Sequence, residues 1–343
     1  MSYELFKNKF LEDESKKGYD KNKLKPALNK FMDSLRNIEA CRVVERNIAH
    51  SEMCTNINIR MNNYSSYYNK KDKCLKVLVS LPLFDAIYKK TSKHEAIQDR
   101  IQLLGMLIQK YVVNAFTLNV ITAVSIMTGD YYTFYNSSIA QHNFKNKQDA
   151  DDYISNIISN SYSNSINQST DIPYIDKINC LDPYVNRVVY YYLAFKYNQN
   201  ADLDFNRCCL NFDNFIDSII KTIKRNNKIG ISDRDSLNEE MFKILNISDI
   251  DVQKSIKQAY IIRCEYTAHS AVTSWWNGGD MFEEYSDKWE KYITQLLKSF
   301  LDYINTSSNY NRSIESWHDW IESNLLEIYD DKYVAFIDKI ESV

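Results

Sequence analysis

Residues 207–225, RCCLNFDNFIDSIIKTIKR, carry the pattern that decides the fold of this chain. Large apolar side chains recur there at intervals of three and four residues, which is the spacing of one helical face. The residues on that face are Phe212, Phe215, Ile216, Ile219, Ile220 and Ile223. A neighbouring segment, 184–197, is apolar and rich in tyrosine. We expect both segments to be core helices of a bundle.

The helices of this bundle continue towards the C-terminus. Ser236 and Glu239 have the spacing of a capping box, and Ser248 precedes a second helical run that reaches about residue 268. The last bundle helix follows Ser286, with an apolar stripe of Trp289, Tyr292, Ile293, Leu296, Leu297, Phe300, Leu301 and Ile304. One or two further helices, which cover the bundle or a partner, are indicated by Trp317, Trp320, Leu325, Ile328 and Phe336.

The N-terminal half is less regular. A first long amphipathic helix is predicted over 26–50, starting at Pro26, and another helix over 97–113. Residues 75–84, LKVLVSLPLF, suit either a strand or a buried connection, and 116–135 permits a hairpin around Thr128-Gly129-Asp130. This half is therefore helical or mixed α+β.

A stretch rich in Ser and Asn, residues 155–170, marks the predicted domain boundary, because these side chains compete for backbone hydrogen bonds. We therefore expect an N-terminal domain over 1–154, a linker or loop over 155–170 and a helical bundle with extra C-terminal helices over 171–343. The fold class is mainly α, and the bundle is of the up-and-down type.

Composition excludes several classes of protein. The formal net charge is −3, so any nucleic-acid site must be local. Seven cysteines without a CxxC pair favour a reduced cytoplasm and no zinc site. The N-terminus has no signal-peptide pattern, and polar residues interrupt the apolar stretch 101–127, which argues against a membrane span. No phosphate-binding glycine loop or metalloprotease motif occurs, and no cofactor is expected.

Arg263 occupies an unusual position. It follows the apolar phase of Val252, Ile256 and Ala259, so a charged residue lies on the stripe predicted to be buried. Such a charge requires an anion, a carbonyl or a partner subunit. His269 lies six residues further on, about 120° around an ideal helix. A helix end near Ala268, or a twofold axis, is therefore needed to place both residues around one phosphate.

These residues resemble a known family. The helix containing MFKILNI (241–247), the helix SIKQAYIIRCEYTAHS (255–270), the polar loop SWWNGGDMFEEYSD (274–287) and the final amphipathic helix look like the HEPN superfamily, with its ApeA-like branch closest in style. The resemblance covers about 184–305. It implies that an Arg and a His close the penultimate helix and that a homodimer brings two such pairs into one metal-independent RNA-cleaving cleft.

The resemblance implies a role for each residue of the motif. Arg263 would hold the scissile phosphate, and His269 would act as general acid or base while the RNA 2′-hydroxyl attacks. Cys264 departs from the polar residue common after the arginine. Further candidates for contacts with single-stranded RNA are Glu265, Tyr266, Trp275, Trp276, Lys221, Lys224 and Arg225. A bacterial toxin or antiphage role is implied, with the N-terminal half sensing a trigger or protein partner.

Other interpretations of these residues stay open. Arg263 can be the ion-pair partner of Glu265 or of a residue on another helix, with His269 as a helix cap. The protein would then be a non-catalytic helical binding or inhibitor protein that docks a protein partner, or it would bind RNA without cleaving it. The pair Arg46 and His50, four residues apart, suits one face of a helix, either as a surface pair or as a second phosphate contact. The basic residues near 221–228 also suit the end of a helix dipole.

Overall fold

Helices form most of the chain in a computed structural model, which describes residues 2–48, 57–132, 140–162, 172–202, 205–264, 279–306 and 314–330. The α-helices are α1 (Ser2–Lys16), α2 (Lys21–Leu35), α3 (Asp85–Tyr88), α4 (Glu95–Thr128), α5 (Lys147–Tyr162), α6 (Pro183–Tyr197), α7 (Phe205–Asn227), α8 (Arg234–Ile244), α9 (Ile250–Ile262), α10 (Gly279–Thr306) and α11 (Trp317–Asp330), and a π-helix over Asn198–Asp202 follows α6. The strands are β1 (Cys41–Ile48), β2 (Asn58–Arg60), β3 (Tyr64–Asn69), β4 (Cys74–Pro82) and β5 (Ala140–Phe144). The predicted mainly helical class is confirmed.

The chain divides into two compact units, each assembled from segments that are distant in sequence. Unit 1 comprises residues 1–117, 136–170 and 311–343, and unit 2 comprises 118–135 and 171–310. This division differs from the continuous domains expected over 1–154 and 171–343. The terminal helix α11 belongs to unit 1 because it packs against α1, where the Tyr329 ring lies 5.4 Å from the Phe6 ring. Phe336, expected in the same region, lies outside the described residues.

Unit 1 contains an antiparallel sheet with the strand order β2-β3-β4-β1-β5. All nine residues of β4 are buried, as expected for a central strand rich in branched apolar side chains. Pro82 is the last residue of the strand, where its missing N–H does least harm. Residues 75–84 are therefore mainly strand, which resolves the alternative left open by the sequence. Helix α5 covers one face of the sheet, with Ile154 and Ile158 packed against Val43 and Leu78.

The helix predicted over 26–50 is wrong at both ends. Helix α2 starts earlier, because the Asp20 carboxylate accepts a hydrogen bond from the Asn22 N–H at 2.8 Å and caps the helix. The helix ends at Leu35, and β1 begins at Cys41. Residues 41–48 form a strand because β4 pairs with β1 on one side and β5 on the other. That long-range pairing outweighs the local helical spacing.

The hairpin permitted over 116–135 is also wrong, because α4 continues through its Thr- and Val-rich part to Thr128. Gly129 then ends the helix with a positive φ of 78°. Among the described residues, α4 is the one helix long and apolar enough to cross a membrane. Most of its apolar stretch is buried within the protein, and a core helix of that kind has the same length and composition.

Replacing Gly129 with alanine should destabilise the protein by about 1 kcal/mol, because an L side chain strains backbone with positive φ. An added Cβ would meet no atom within 4 Å at either Gly129 or Gly230, but only Gly129 of these two has positive φ. Gly230→Ala is thus a matched control and should leave stability unchanged or raise it slightly. Urea denaturation measures both changes, and equal effects would contradict the assignment of strain to φ.

The predicted linker begins inside a helix. Helix α5 extends to Tyr162, so the first part of the Ser- and Asn-rich stretch 155–170 is helical rather than irregular. Its apolar residues Ile154, Ile157 and Ile158 pack against the sheet, and this burial outweighs the weak helix propensity of Ser and Asn. Residues 163–171 lie outside the described residues.

Unit 2 contains α6 to α10, and α7 packs against α6, α8, α9 and α10. The predicted apolar face of α7 is confirmed, since all six of its large side chains are buried. The stripe of α10 is confirmed as well, except that Tyr292 is only partly buried. Helix α10 begins at Gly279, so Ser286 lies inside the helix and is buried. Trp289 is fully buried and stacks on Phe212 with the ring centroids 4.9 Å apart.

Aspartates, and not the predicted serines, cap helices α8 and α9. Asp233 begins α8 by accepting a hydrogen bond from the Ser236 N–H at 2.9 Å. Asp249 begins α9 by accepting a hydrogen bond from the Asp251 N–H at 2.8 Å. Carboxylates suit this position because the exposed N–H groups and the helix dipole favour negative charge. Ser236 therefore lies inside α8, and Ser248 lies one residue before the cap of α9.

Candidate functional site

Arg263 directly follows α9 and has helical backbone angles. The residues that precede it on the same stripe, Val252, Ile256 and Ala259, are buried as predicted. The side chain of Arg263 itself keeps 36% of its surface exposed. The expectation of a buried arginine is therefore wrong in degree, because the guanidinium lies at the end of the helix where the stripe meets solvent.

The anion that Arg263 requires is Asp213 of α7. The Nη1 atom of Arg263 donates a hydrogen bond to the Asp213 carboxylate at 2.8 Å, and the Asp213 side chain is fully buried. This hydrogen bond raises the pKa of Arg263, with the charge of Asp213 acting in the same direction. The open alternative of an ion pair with a residue on another helix thus describes the contact. A buried carboxylate fixes one side of the guanidinium firmly because charge-assisted bonds are strong.

A second arginine shares the same carboxylate. Arg234, in the first turn of α8, donates hydrogen bonds to Asp213 at 3.0 Å and to Asp217 at 3.1 Å. Its side chain is 15% exposed, and its guanidinium lies 5.0 Å from the centre of the Tyr260 ring. The Nζ atom of Lys221 also lies 2.6 Å from the Asp217 carboxylate. We call the series Lys221–Asp217–Arg234–Asp213–Arg263 the charge chain.

Helical spacing explains how the charge chain forms. Asp213, Asp217 and Lys221 are four residues apart on α7 and therefore lie on one side of that helix. The arginines of α8 and α9 meet this side because both helices pack on α7. Asp213 is buried although it is charged, which is tolerable only because two guanidinium groups surround it. The arrangement offers a positively charged, partly exposed group at a helix end.

The sequence alone does not identify Asp213 and Arg234 as members of the site. Asp213 stands between Phe212 and Phe215 on a helix with one strongly apolar face, which marks it as a carboxylate close to a core face. Its spacing of four from Asp217 and of eight from Lys221 was a further signal. No pattern in the sequence, however, connects α7 with Arg234 or with Arg263.

The three basic residues proposed as contacts near the end of α7 do not form one site. Lys221 belongs to the charge chain, whereas the Nζ of Lys224 donates a hydrogen bond to the Ile231 carbonyl at 2.6 Å. Arg225 pairs with Asp182 at 3.1 Å and lies 3.9 Å from the centre of the Tyr184 ring. Each cation therefore has its own local role, and a joint basic patch is not supported.

Tyr260 and Cys264 lie beside the charge chain at consecutive turns of the helix. A hydrogen bond between them is the largest contribution to the raised pKa of Tyr260, and Arg234 and Arg263 act in the opposite direction. Cys264 is partly buried. Cys264, which departs from the polar pattern of the resembling family, thus lies beside the Tyr260 side chain.

Other residues named from the sequence lie outside the described residues: His269, Glu265, Tyr266, Trp275, Trp276 and His50. Arg46 is described, and it lies in β1 with its Nη1 atom donating a hydrogen bond to the Asn114 side chain of α4. The interpretation of Arg46 and His50 as a pair on one helical face is therefore wrong, because residues 41–48 form a strand.

One group in unit 1 has the chemistry of metal ligands. Single ligand atoms of His318, Asp319 and Glu322, near the start of α11, lie within 4.8 Å of one another. The hydrogen bond from His318 lowers the pKa of Asp319, which is the most exposed member. The Ser316 hydroxyl also accepts a hydrogen bond from the Asp319 N–H at 3.3 Å. These contacts are those of an ordinary helix start.

No family model, curated protein or solved structure matches this chain.

Proposed function

We propose that unit 2 is a metal-independent endoribonuclease of the HEPN type. The observation that supports this function best is the placement of Arg263. Its guanidinium stands at a helix end, more than a third exposed, and is tied to a fully buried carboxylate. Because the ion pair already fixes this side chain, binding a phosphate costs little additional side-chain entropy. A toxin or antiphage role, a cytoplasmic location and a homodimer belong to the same proposal.

In the proposed reaction the 2′-hydroxyl of RNA attacks the adjacent phosphorus. The hydroxyl loses its proton to a general base, a new P–O2′ bond forms and the P–O5′ bond breaks. The leaving 5′-oxygen takes a proton from a general acid, so the products are a 2′,3′-cyclic phosphate and a 5′-hydroxyl. Arg263 stabilises the charge that develops on the phosphate oxygens. His269 serves as acid or base, since its reference pKa near 6.5 permits both proton states.

The test uses the purified full chain with single-stranded RNA in excess EDTA. We expect cleavage to proceed without divalent metal, and RNA of the same sequence with 2′-O-methyl groups to stay intact because its 2′-oxygen cannot attack. Mass spectrometry of the products should find 2′,3′-cyclic phosphate ends. Cleavage that stops in EDTA, or products with other ends, would contradict this mechanism.

The Asp213 contact also favours a second candidate. An interhelical ion pair at 2.8 Å is what a structural arginine in a non-catalytic binding protein would make. In that case unit 2 or the helices of unit 1 would dock a protein partner. Pulldown from the native host that recovers one stoichiometric protein, together with intact RNA in the cleavage assay, would favour this binding function.

A further inference from the structure

The charge chain gives Arg234 a role that reaches beyond its own contacts. The charge chain holds three cations and two carboxylates, so the formal charge of these five residues is positive. Without Arg234, two cations would face two carboxylates and the formal charge would be zero. The Arg263 site would then have one positive charge fewer beside it and would attract a phosphate less strongly.

The two most exposed members of the charge chain are the cations at its ends, so its positive charge is most accessible there. Asp213 is fully buried and Arg234 is 15% exposed, whereas Arg263 is 36% and Lys221 56% exposed. The buried members interact through a poorly polarisable medium, where a unit charge acts over a longer distance than in water. The stacking of Arg234 on Tyr260 holds this cation in place. Arg234 therefore opposes the field of Asp213 at the point where Arg263 meets solvent.

We infer that Arg234 is a positioning residue that sets the phosphate affinity of the Arg263 site without touching the RNA. This inference rests on the proposed function, because it takes an RNA phosphate as the ligand. It assigns two tasks to the pair of Arg234 and Asp213. Asp213 orients the guanidinium of Arg263, and Arg234 cancels the charge that Asp213 would otherwise impose on it.

The probe is a fluorescent single-stranded 2′-O-methyl oligoribonucleotide, which carries the phosphates but cannot be cleaved through its 2′-oxygens. Binding is measured by fluorescence anisotropy at low salt, with near-ultraviolet circular dichroism as the check on folding. Arg234→Gln should weaken binding about tenfold, since one nearby cation is lost. Arg234→Lys keeps the positive charge, on which the inference depends, and should bind within about threefold of the unmodified protein.

Asp217→Asn separates this inference from a purely structural role. Asp217 is 29% exposed. Its replacement by asparagine makes the formal charge of the charge chain more positive, and it also removes one carboxylate partner of Arg234. We expect Asp217→Asn to bind the oligonucleotide several times more tightly, and the differences among the variants to shrink at high salt. A structural role predicts that both Arg234→Gln and Asp217→Asn weaken binding or leave it unchanged.

The outcomes for the inference and for the proposed function are distinct. Opposite effects of Arg234→Gln and Asp217→Asn would support the inference even if unmodified RNA stays intact, in which case only the nuclease function fails. Equal affinities for all variants, weaker binding by Asp217→Asn, or no binding of the oligonucleotide at low salt by the unmodified protein would overturn it.

Discussion

Arg263→Ala should lower the rate of RNA cleavage at least a hundredfold, measured under single-turnover conditions in EDTA. The loss follows from the proposed role, because removal of one donor that stabilises developing negative charge typically costs a factor of about 100 to 1000. Arg263→Lys keeps the positive charge but not the planar set of N–H donors. Its cleavage rate should lie between that of Arg263→Ala and that of the unmodified protein. His269→Ala should reduce the rate by a similar or larger factor through the loss of proton transfer.

Lys254→Ala is the matched control for this series. Lys254 is an exposed cation on α9, the helix that leads to Arg263, and its removal changes the net charge by the same amount. We expect this variant to cleave RNA at nearly the unmodified rate. If Arg263→Ala cleaves as fast as Lys254→Ala, the arginine does not stabilise the reacting phosphate, and the binding function becomes the better account of unit 2.

Local sequence patterns predicted α7 and α10 of unit 2 well. The apolar residues of α7 and α10 recur at helical spacing, and burial of one continuous stripe is enough to fix the element and its inner face. The predicted starts of α8 and α9 were less accurate, since Asp233 and Asp249 cap these helices where serines were expected. Both residue types accept hydrogen bonds from free N–H groups, so composition alone does not select between neighbouring candidates.

Unit 1 could not be predicted equally well, because its structure depends on pairing between distant segments. Cys41–Ile48 has helical spacing with the residues before it, but it is a strand since β4 and β5 bond to its two edges. The candidate site shows the same limit. The helical phase of Arg263 indicated that it needs an anion, whereas the anion, Asp213, lies fifty residues away on another helix. Its identity follows only from how the helices pack.

Asp213→Ala should destabilise the protein by about 3 kcal/mol, because it leaves two guanidinium groups without their buried counter-ion. Arg263→Ala should cost less, since Arg234 still neutralises Asp213 and the Arg263 side chain is 36% exposed. Urea denaturation of the full chain measures both changes.

The double variant Asp213→Ala/Arg263→Ala completes a cycle that gives the coupling between the two residues. A direct ion pair predicts a coupling of roughly 0.5–3 kcal/mol, and a value near zero would contradict the contact. The cycle also bears on function when it is combined with cleavage rates. If Asp213 only supports the fold, Asp213→Asn should cleave RNA in proportion to its folded fraction. If Asp213 orients Arg263 for the phosphate, fully folded Asp213→Asn should still lose activity, because the guanidinium is no longer held in place.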